Sequence, residues 1–449
     1  MVFFLILCLT WVLLIKFLYQ IRNYPGLILV LLVGVYELPG PALFYWNVEV
    51  PAIQAAQLVF GEMANTDTIF AHVLTLIVFF LSFAAASVLG HLQGGQSFAN
   101  VLERNKLNDL YAHSQPRLGR VLKVFGGCLA LVILAFGIVS VLHEEGLRRL
   151  DDYLGGDYEG LRVFSYGIGL LPVLTCFAVV LYVRGQKTLA AVMFVAALPL
   201  LYEIFLTSRR QYFLPALYVI LMWQLYGSSK RLSWVSLAGV VAVVLLFFGA
   251  QYSLRERVTG DDVTITDSVL EGSLAPQLGE FVAIGATSLY SYPVVEERGV
   301  TYGSQFAVTA LNAIPFAKLG NALFPDEAQQ FMDIARTVSP FGGLSMIAEC
   351  YLSFGRAGVV LLALLMALLA GKFHRRLIDF YSRRRFSATN ILFVSVGCVL
   401  LGKYRSGVSD AFIAFTSMAL LFAALYLLAM LLEAVLFQDL VSVREKSNN

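Results

Sequence analysis

The sequence predicts an all-α polytopic membrane protein of about eleven transmembrane helices, and three observations carry that prediction. Apolar runs long enough to cross a bilayer recur along the chain, a spanning helix needing about 20 mostly apolar residues. Of the 449 residues, 59% are hydrophobic and only 14% are charged, with a mean hydropathy of +0.76. An ordinary soluble domain carries about 25% charged residues. The loops between the runs also alternate in basic content, as the loops of an oriented membrane protein do.

The expected spans are 2–18, 26–46, 70–90, 121–142, 163–183, 188–206, 212–226, 233–252, 348–371, 387–402 and 411–436. They build one integral membrane domain, 1–449, with a single long loop at 253–347. The first run has neither a basic leading segment nor a small-residue cleavage site, so it is expected to be a membrane helix and not a signal peptide. The second run carries Glu37 just before Pro39-Gly40-Pro41. An ionisable residue at that depth is costly and functional by default. Two roles fit it: a proton site of a transporter, or a neutral carboxyl bonded to backbone freed by the break.

Orientation follows from the loops. Lys16 and Arg22, the set Arg104, Lys106, Arg117, Arg120 and Lys123, then Arg184 and Lys187, Lys230 and Arg231, and Lys372 to Arg385 all fall on one face. That face is cytoplasmic, which puts the amino terminus outside and the carboxyl terminus inside. Thirteen of the 32 Lys and Arg residues nevertheless fall on the outer face, several at helix ends. Residues 143–162 on that face mix both signs and read as a short interfacial element.

Four constellations follow from this excess. In TSRRQY, 207–212, Arg209 and Arg210 sit in a very short outer turn. An arginine fork matches phosphate oxygens bidentately and stays charged, although snorkelling to lipid headgroups explains such residues equally. In SLRERV, 253–258, Arg255 and Arg257 bracket Glu256; anion binding and a weak local ion pair both fit. In GGLSMIAECYLSFGRAG, 342–358, Glu349 lies 22 residues before Gly371, or about 33 Å along a straight helix. That puts it at the outer interface, on one stripe with Ser345 and Arg356. Glu349 is the candidate general base, with Arg356 to orient it; a cap-type contact or a Glu349–Arg356 pair is the alternative. In LGKYRSGVSD, 401–410, Lys403, Tyr404 and Arg405 form an outer turn suited to phosphate or sugar, and equally to headgroup anchoring. Arg336 joins the candidate anion contacts from within the long loop.

Other classes are excluded. The net charge of +2 gives no field for nucleic acid. Neither the five cysteines nor the scattered histidines His72, His91, His113, His143 and His374 have metal-ligand spacing. There is no phosphate-cradling glycine loop with Lys-Ser/Thr, no nucleophile elbow and no HExxH. The long loop contains FVAIGATSLYSY at 281–292 and FAVTALNAIPFA at 306–317, expected as short helices resting on the membrane surface or dipping into it.

Taken together, the TSRR turn, the long late outer loop, GGLSMIAECYLSFGRAGVV running straight into a span, the basic loop after it and the KYR turn resemble the oligosaccharide repeat-unit polymerases, the O-antigen polymerase (Wzy) family. The resemblance covers the layout of the whole chain, and its specific residues lie within 205–212 and 340–410. O-antigen ligases share the architecture, but the long loop here has no histidine. The resemblance implies a GT-C-like glycosyltransferase at the periplasmic leaflet of a bacterial inner membrane. It implies undecaprenyl-pyrophosphate-linked oligosaccharides as substrates, no cofactor, and room for a chain-length-regulating co-polymerase as partner.

Overall fold

The computed structural model describes residues 2–46, 65–94, 116–142, 163–206, 214–227, 282, 284–313, 319–339, 344–382 and 386–447. Every regular element among the described residues is helical. The chain forms two compact units. Unit 1 takes residues 1–101, 230–376 and 400–414, and unit 2 takes 102–229, 377–399 and 415–449.

In chain order the helices are α1 (Val2–Gln20), α2 (Tyr24–Glu37), α3 (Pro39–Tyr45), α4 (Thr66–Gly94), α5 (Pro116–Leu142), α6 (Val163–Val183), α7 (Lys187–Leu206) and α8 (Leu214–Gly227). They continue with α9 (284–298), α10 (Ser304–Asn312), α11 (Leu319–Leu323), α12 (Pro325–Val338), α13 (Met346–Leu377), α14 (Ala388–Gly402) and α15 (Gly407–Ser447). A π turn, Ile378–Ser382, closes α13, and a 3-10 turn, Tyr404–Ser406, leads into α15.

Among the described residues six helices are long and apolar enough to cross a membrane: α1, α2 continued by α3, α4, α5, α13 and α15. Four shorter apolar helices, α6, α7, α8 and α14, coincide with further expected spans. The expected span 233–252 lies outside the described residues. Large apolar side chains stand exposed midway along these helices, among them Leu131, Leu361 and Leu431, each at least 60% accessible. Such surfaces suit hydrocarbon, and the protein is a multi-pass membrane protein.

Local sequence sets the ends of the elements. Asn23 caps α2 by accepting from Gly26 N at 3.2 Å, with Pro25 in the first turn where its missing N–H is harmless. At the other end Pro39 has no N–H to donate back, so the ladder stops at Glu37 and restarts as α3. Trp11 of α1 lies across Gly34 and donates its indole N–H to Val30 O at 2.9 Å.

The core of unit 1 is built on α9. Val282, Ala286, Tyr290 and Val294 recur every four residues and pack on Ile334 and Val338 of α12 and on Leu344, Ala348 and Leu352 of α13. The segment at 281–292, expected to rest on the membrane surface or to dip into it, is packed as an interior helix over its described residues. The reason is that both its faces find partners. The opposite face carries Ser288, Ser291 and Tyr292, all buried, with Ser288 bonded to Ser345, Ser291 to Ser288 O and Tyr292 edge-on to His72, and the apolar stripe alone could not have revealed that. Gly285 allows the approach, since a Cβ there would stand 2.6 Å from Tyr36 O. The segment around 306–317 gives the short, partly exposed helix α10.

Within unit 2, α5, α6 and α7 pack against one another and α8 packs on α6. Gly137 of α5 lets the backbone of α7 come close at Pro199–Leu200, a Cβ there falling 2.8 Å from Leu200 N. Arg120 of α5 donates from Nε to Glu433 of α15 at 3.2 Å.

The Gly285 contact is testable. Replacing Gly285 with Val forces a methyl-bearing side chain against backbone and is expected to destabilise by about 1–3 kcal/mol. Gly127→Ala, where a Cβ meets nothing within 4 Å, is expected to be neutral or mildly stabilising. Thermal unfolding of the purified protein in detergent separates the two outcomes.

Candidate functional site

Unit 1 gathers two buried carboxyl groups at the junction of α2, α4, α9, α13 and the Tyr404–Ser406 turn. The first belongs to Glu349, in the first turn of α13. Its carboxylate accepts from Val408 N, from Ser409 N at 3.1 Å and from the Ser409 hydroxyl. Those donors are at the bare amino end of α15, where backbone N–H groups lack intrahelical partners and the helix dipole favours negative charge. Gly407 carries a φ of +86°, and a Cβ on it would stand 2.5 Å from Glu349 Oε2. Only glycine suits that position.

The second carboxyl belongs to Glu37 at the end of α2. Tyr404 donates its hydroxyl to Glu37 Oε1 at 2.9 Å. Burial pushes the Tyr404 phenol well above its ordinary pKa, and the neighbouring carboxyl adds to the effect, so the group stays a donor. His72 of α4 points Nε2 at Glu37 Oε2 across 3.6 Å, with both side chains fully buried. The hydroxyls of Ser288 and Ser345 also approach this carboxyl, and they exchange a hydrogen bond with each other at 2.8 Å. Ser345 further accepts from Ala348 N at 3.1 Å, capping α13. Tyr292 completes the group: its ring meets His72 edge-on at 5.9 Å between centroids and lies 4.1 Å from Tyr351.

The stripe expected for Ser345, Glu349 and Arg356 does not extend to Arg356. Gly355 has φ 61° and ψ −147°, which breaks α13 between Glu349 and Arg356. A depth reckoned along a straight helix fails for the same reason. The backbone freed by the break is met from outside: Thr301 N donates to Leu352 O at 3.0 Å, and Gln305 donates to Ser353, whose hydroxyl bonds Glu349 O at 2.6 Å. Arg356 itself is exposed.

The other expected site residues divide as follows. Lys403 is partly exposed in the same turn as Tyr404. The side chain of Arg405 and that of Arg336, on α12, lie outside the described residues, as do Arg209, Arg210, Arg255 and Arg257 entirely. Tyr404, expected to touch substrate, is turned inward onto Glu37. His72 was read from sequence only as a scattered histidine. Its partner is 35 residues away, so no local spacing reveals the pair. The rule that singles out Glu37, an ionisable group inside an apolar run, would have found it. No group of three His, Cys, Asp or Glu able to hold a metal occurs among the described residues.

The chain matches no family model, no curated protein and no solved structure.

If Glu349 secures the start of α15, Glu349→Ala strands partly buried N–H groups and is expected to cost about 1.5–3 kcal/mol. Glu349→Gln keeps one acceptor oxygen and should cost less, and Ser409→Ala less again. Unfolding midpoints of the three variants test this order.

Proposed function

We propose that the protein polymerises lipid-linked oligosaccharide repeat units, transferring a glycan from undecaprenyl pyrophosphate to a sugar hydroxyl of an incoming lipid-linked unit. The reading includes eleven spans, a GT-C-like fold and a place in a bacterial inner membrane with the amino terminus periplasmic. The observation that carries it is a set of basic residues in segments that the loop pattern of the sequence assigns to the face opposite the basic loops: Arg209, Arg210, Arg255, Arg257, Arg336, Lys403 and Arg405. A departing pyrophosphate needs charge stabilisation, and outside the cytoplasm no nucleotide-bound metal supplies it. The donor is already activated, so no ATP site is required.

In this reading the acceptor oxygen bonds the anomeric carbon, the carbon–oxygen bond to pyrophosphate breaks with the electron pair going to the phosphate oxygen, and the hydroxyl proton passes to a side-chain base or to the departing pyrophosphate. From sequence, Glu349 is the proton acceptor, with Arg356 beside it. Because the Glu349 carboxylate is occupied by Val408 and Ser409, we assign it instead to holding the turn that carries Lys403 and Arg405. Glu349→Gln distinguishes the roles. A lost base lowers turnover at saturating substrate, typically by about 10²–10⁴-fold; a slackened turn raises KM and lowers the unfolding midpoint together.

A second reading, a transporter of a lipid-linked glycan or an anionic solute, is favoured by the Glu37–His72 pair buried within apolar helices. An O-antigen ligase-like transfer is the nearest enzymatic alternative. Purified protein incubated with a lipid-linked repeat unit, without nucleotide or metal, separates them. A ladder of longer chains is expected, whereas movement across vesicles without a ladder would support transport.

Two further outcomes are expected. Reporter fusions should place Arg209, Arg255 and Arg405 on the side opposite Arg384; finding Arg209 and Arg384 on one side would overturn the reading. Alanine at a phosphate-contacting arginine among Arg209, Arg210, Arg255 and Arg257 should cost about 1.5–3 kcal/mol of binding, with lysine restoring only part. Full activity of all four alanine variants would reduce these arginines to headgroup anchors.

A further inference from the structure

Four polar atoms in the interior of unit 1 have no hydrogen-bond partner: Glu37 Oε2, His72 Nδ1, His72 Nε2 and the Tyr292 hydroxyl. They belong to three neighbouring side chains on α2, α4 and α9, all of them buried. The 3.6 Å between His72 Nε2 and Glu37 Oε2 is longer than a hydrogen bond. The surrounding hydroxyls do not close the gap. Thr75, beside Tyr292, spends its hydrogen on Ala71 O at 2.8 Å and can only accept, from Tyr292. Ser288 and Ser345 share one hydrogen bond between them, which leaves one hydroxyl hydrogen for Glu37 and none for His72, and Tyr404 is committed to the other oxygen of Glu37.

The donor and acceptor inventory limits what could fill this place. Glu37 Oε2 accepts, Tyr292 donates, and a neutral imidazole both donates and accepts. The missing partner must therefore also do both. An alkyl or isoprenoid tail would leave every one of these atoms unmet. An anion would face the Glu37 carboxyl with no Lys or Arg bonded to the group among the described residues. One carboxylate and one imidazole are too few for a divalent metal. A hydroxyl group satisfies the inventory. Buried polar atoms of this kind are ordinarily met by a ligand or by ordered water.

We propose that Glu37, His72 and Tyr292 form an interior binding site for a neutral hydroxyl group, supplied by water or by a sugar. The site follows from the geometry of unit 1 and holds whether or not the protein joins glycans.

The test uses the full chain in lipid nanodiscs, exposed to X-ray pulses in ¹⁸O-enriched water, with side-chain oxidation read by mass spectrometry. Radicals formed from a water seated beside a buried side chain label that side chain, while a dry one stays unlabelled. His72 and Tyr292 are expected to label several-fold above Phe79 and Phe83, which are fully buried on the same helix as His72. Glu37→Leu, or the milder Glu37→Gln if the first does not fold, should lower labelling of both residues toward that of Phe79. Excess methyl glucoside or methyl N-acetylglucosaminide then decides the source: protection of His72 assigns a sugar hydroxyl, and unchanged labelling assigns water. Wild-type labelling of His72 and Tyr292 no higher than that of Phe79 would overturn the site, as would labelling untouched by either Glu37 variant. No glycan transfer is needed, so a negative result here is separate from loss of the proposed polymerase reading.

Discussion

A bilayer offers no water to a stray polar group, so the polar atoms that unit 1 carries inward have to be answered by the protein itself. Most are. Glu349 meets the N–H groups that begin α15, Thr301 meets the carbonyl released at Gly355, and Trp11 spends its indole proton on the backbone of α2. Each of these contacts joins segments far apart in the chain, so satisfying backbone polarity and assembling the tertiary structure are one event here. Removing one partner leaves its mate stranded in an apolar medium, where replacement by solvent is unavailable.

That economy makes the exceptions informative. Around Glu37 the same rule is kept on one oxygen, by Tyr404, and broken on the other. A fold that satisfies a helix start with three donors does not leave a carboxylate oxygen and both nitrogens of an imidazole unmet for want of polar residues. Serines, a threonine and two tyrosines are within reach. Polar atoms left without partners in an apolar interior cost stability.

The large features of the fold were legible because they rest on composition over long windows. Ten of the apolar runs fall on described helices, most ends agreeing within about six residues while α15 runs on to Ser447, and Pro39 marks the break in α2. Glu37 was legible because a single charge in an apolar run is visible without knowing its neighbours. What escaped the sequence depends on pairing across distance. His72 gains meaning only beside Glu37, Ser288 only beside Ser345, and Glu349 only when the start of α15 is folded onto it. The interior position of α9 escaped for a related reason. Its four-residue apolar stripe predicts one buried face, and the polar face reads as a wet one until other polar side chains are brought against it. Gly355 hid as well, since one glycine inside a strongly apolar helix does not announce a left-handed backbone.

The break at Gly355 bears on how this protein fits the thickness of its membrane. A straight helix of 32 residues, the length of α13, would measure about 48 Å, well beyond a hydrocarbon core of about 30 Å. From Arg356 to Gly371, short of the basic residues that begin at Lys372, the helix rises only about 24 Å, less than that core. A crossing of that core then draws on residues before the glycine, which follow an axis of their own in place of one overlong rod. The segment that bears Glu349 takes its direction from Thr301, Gln305 and the start of α15, to which it is hydrogen-bonded.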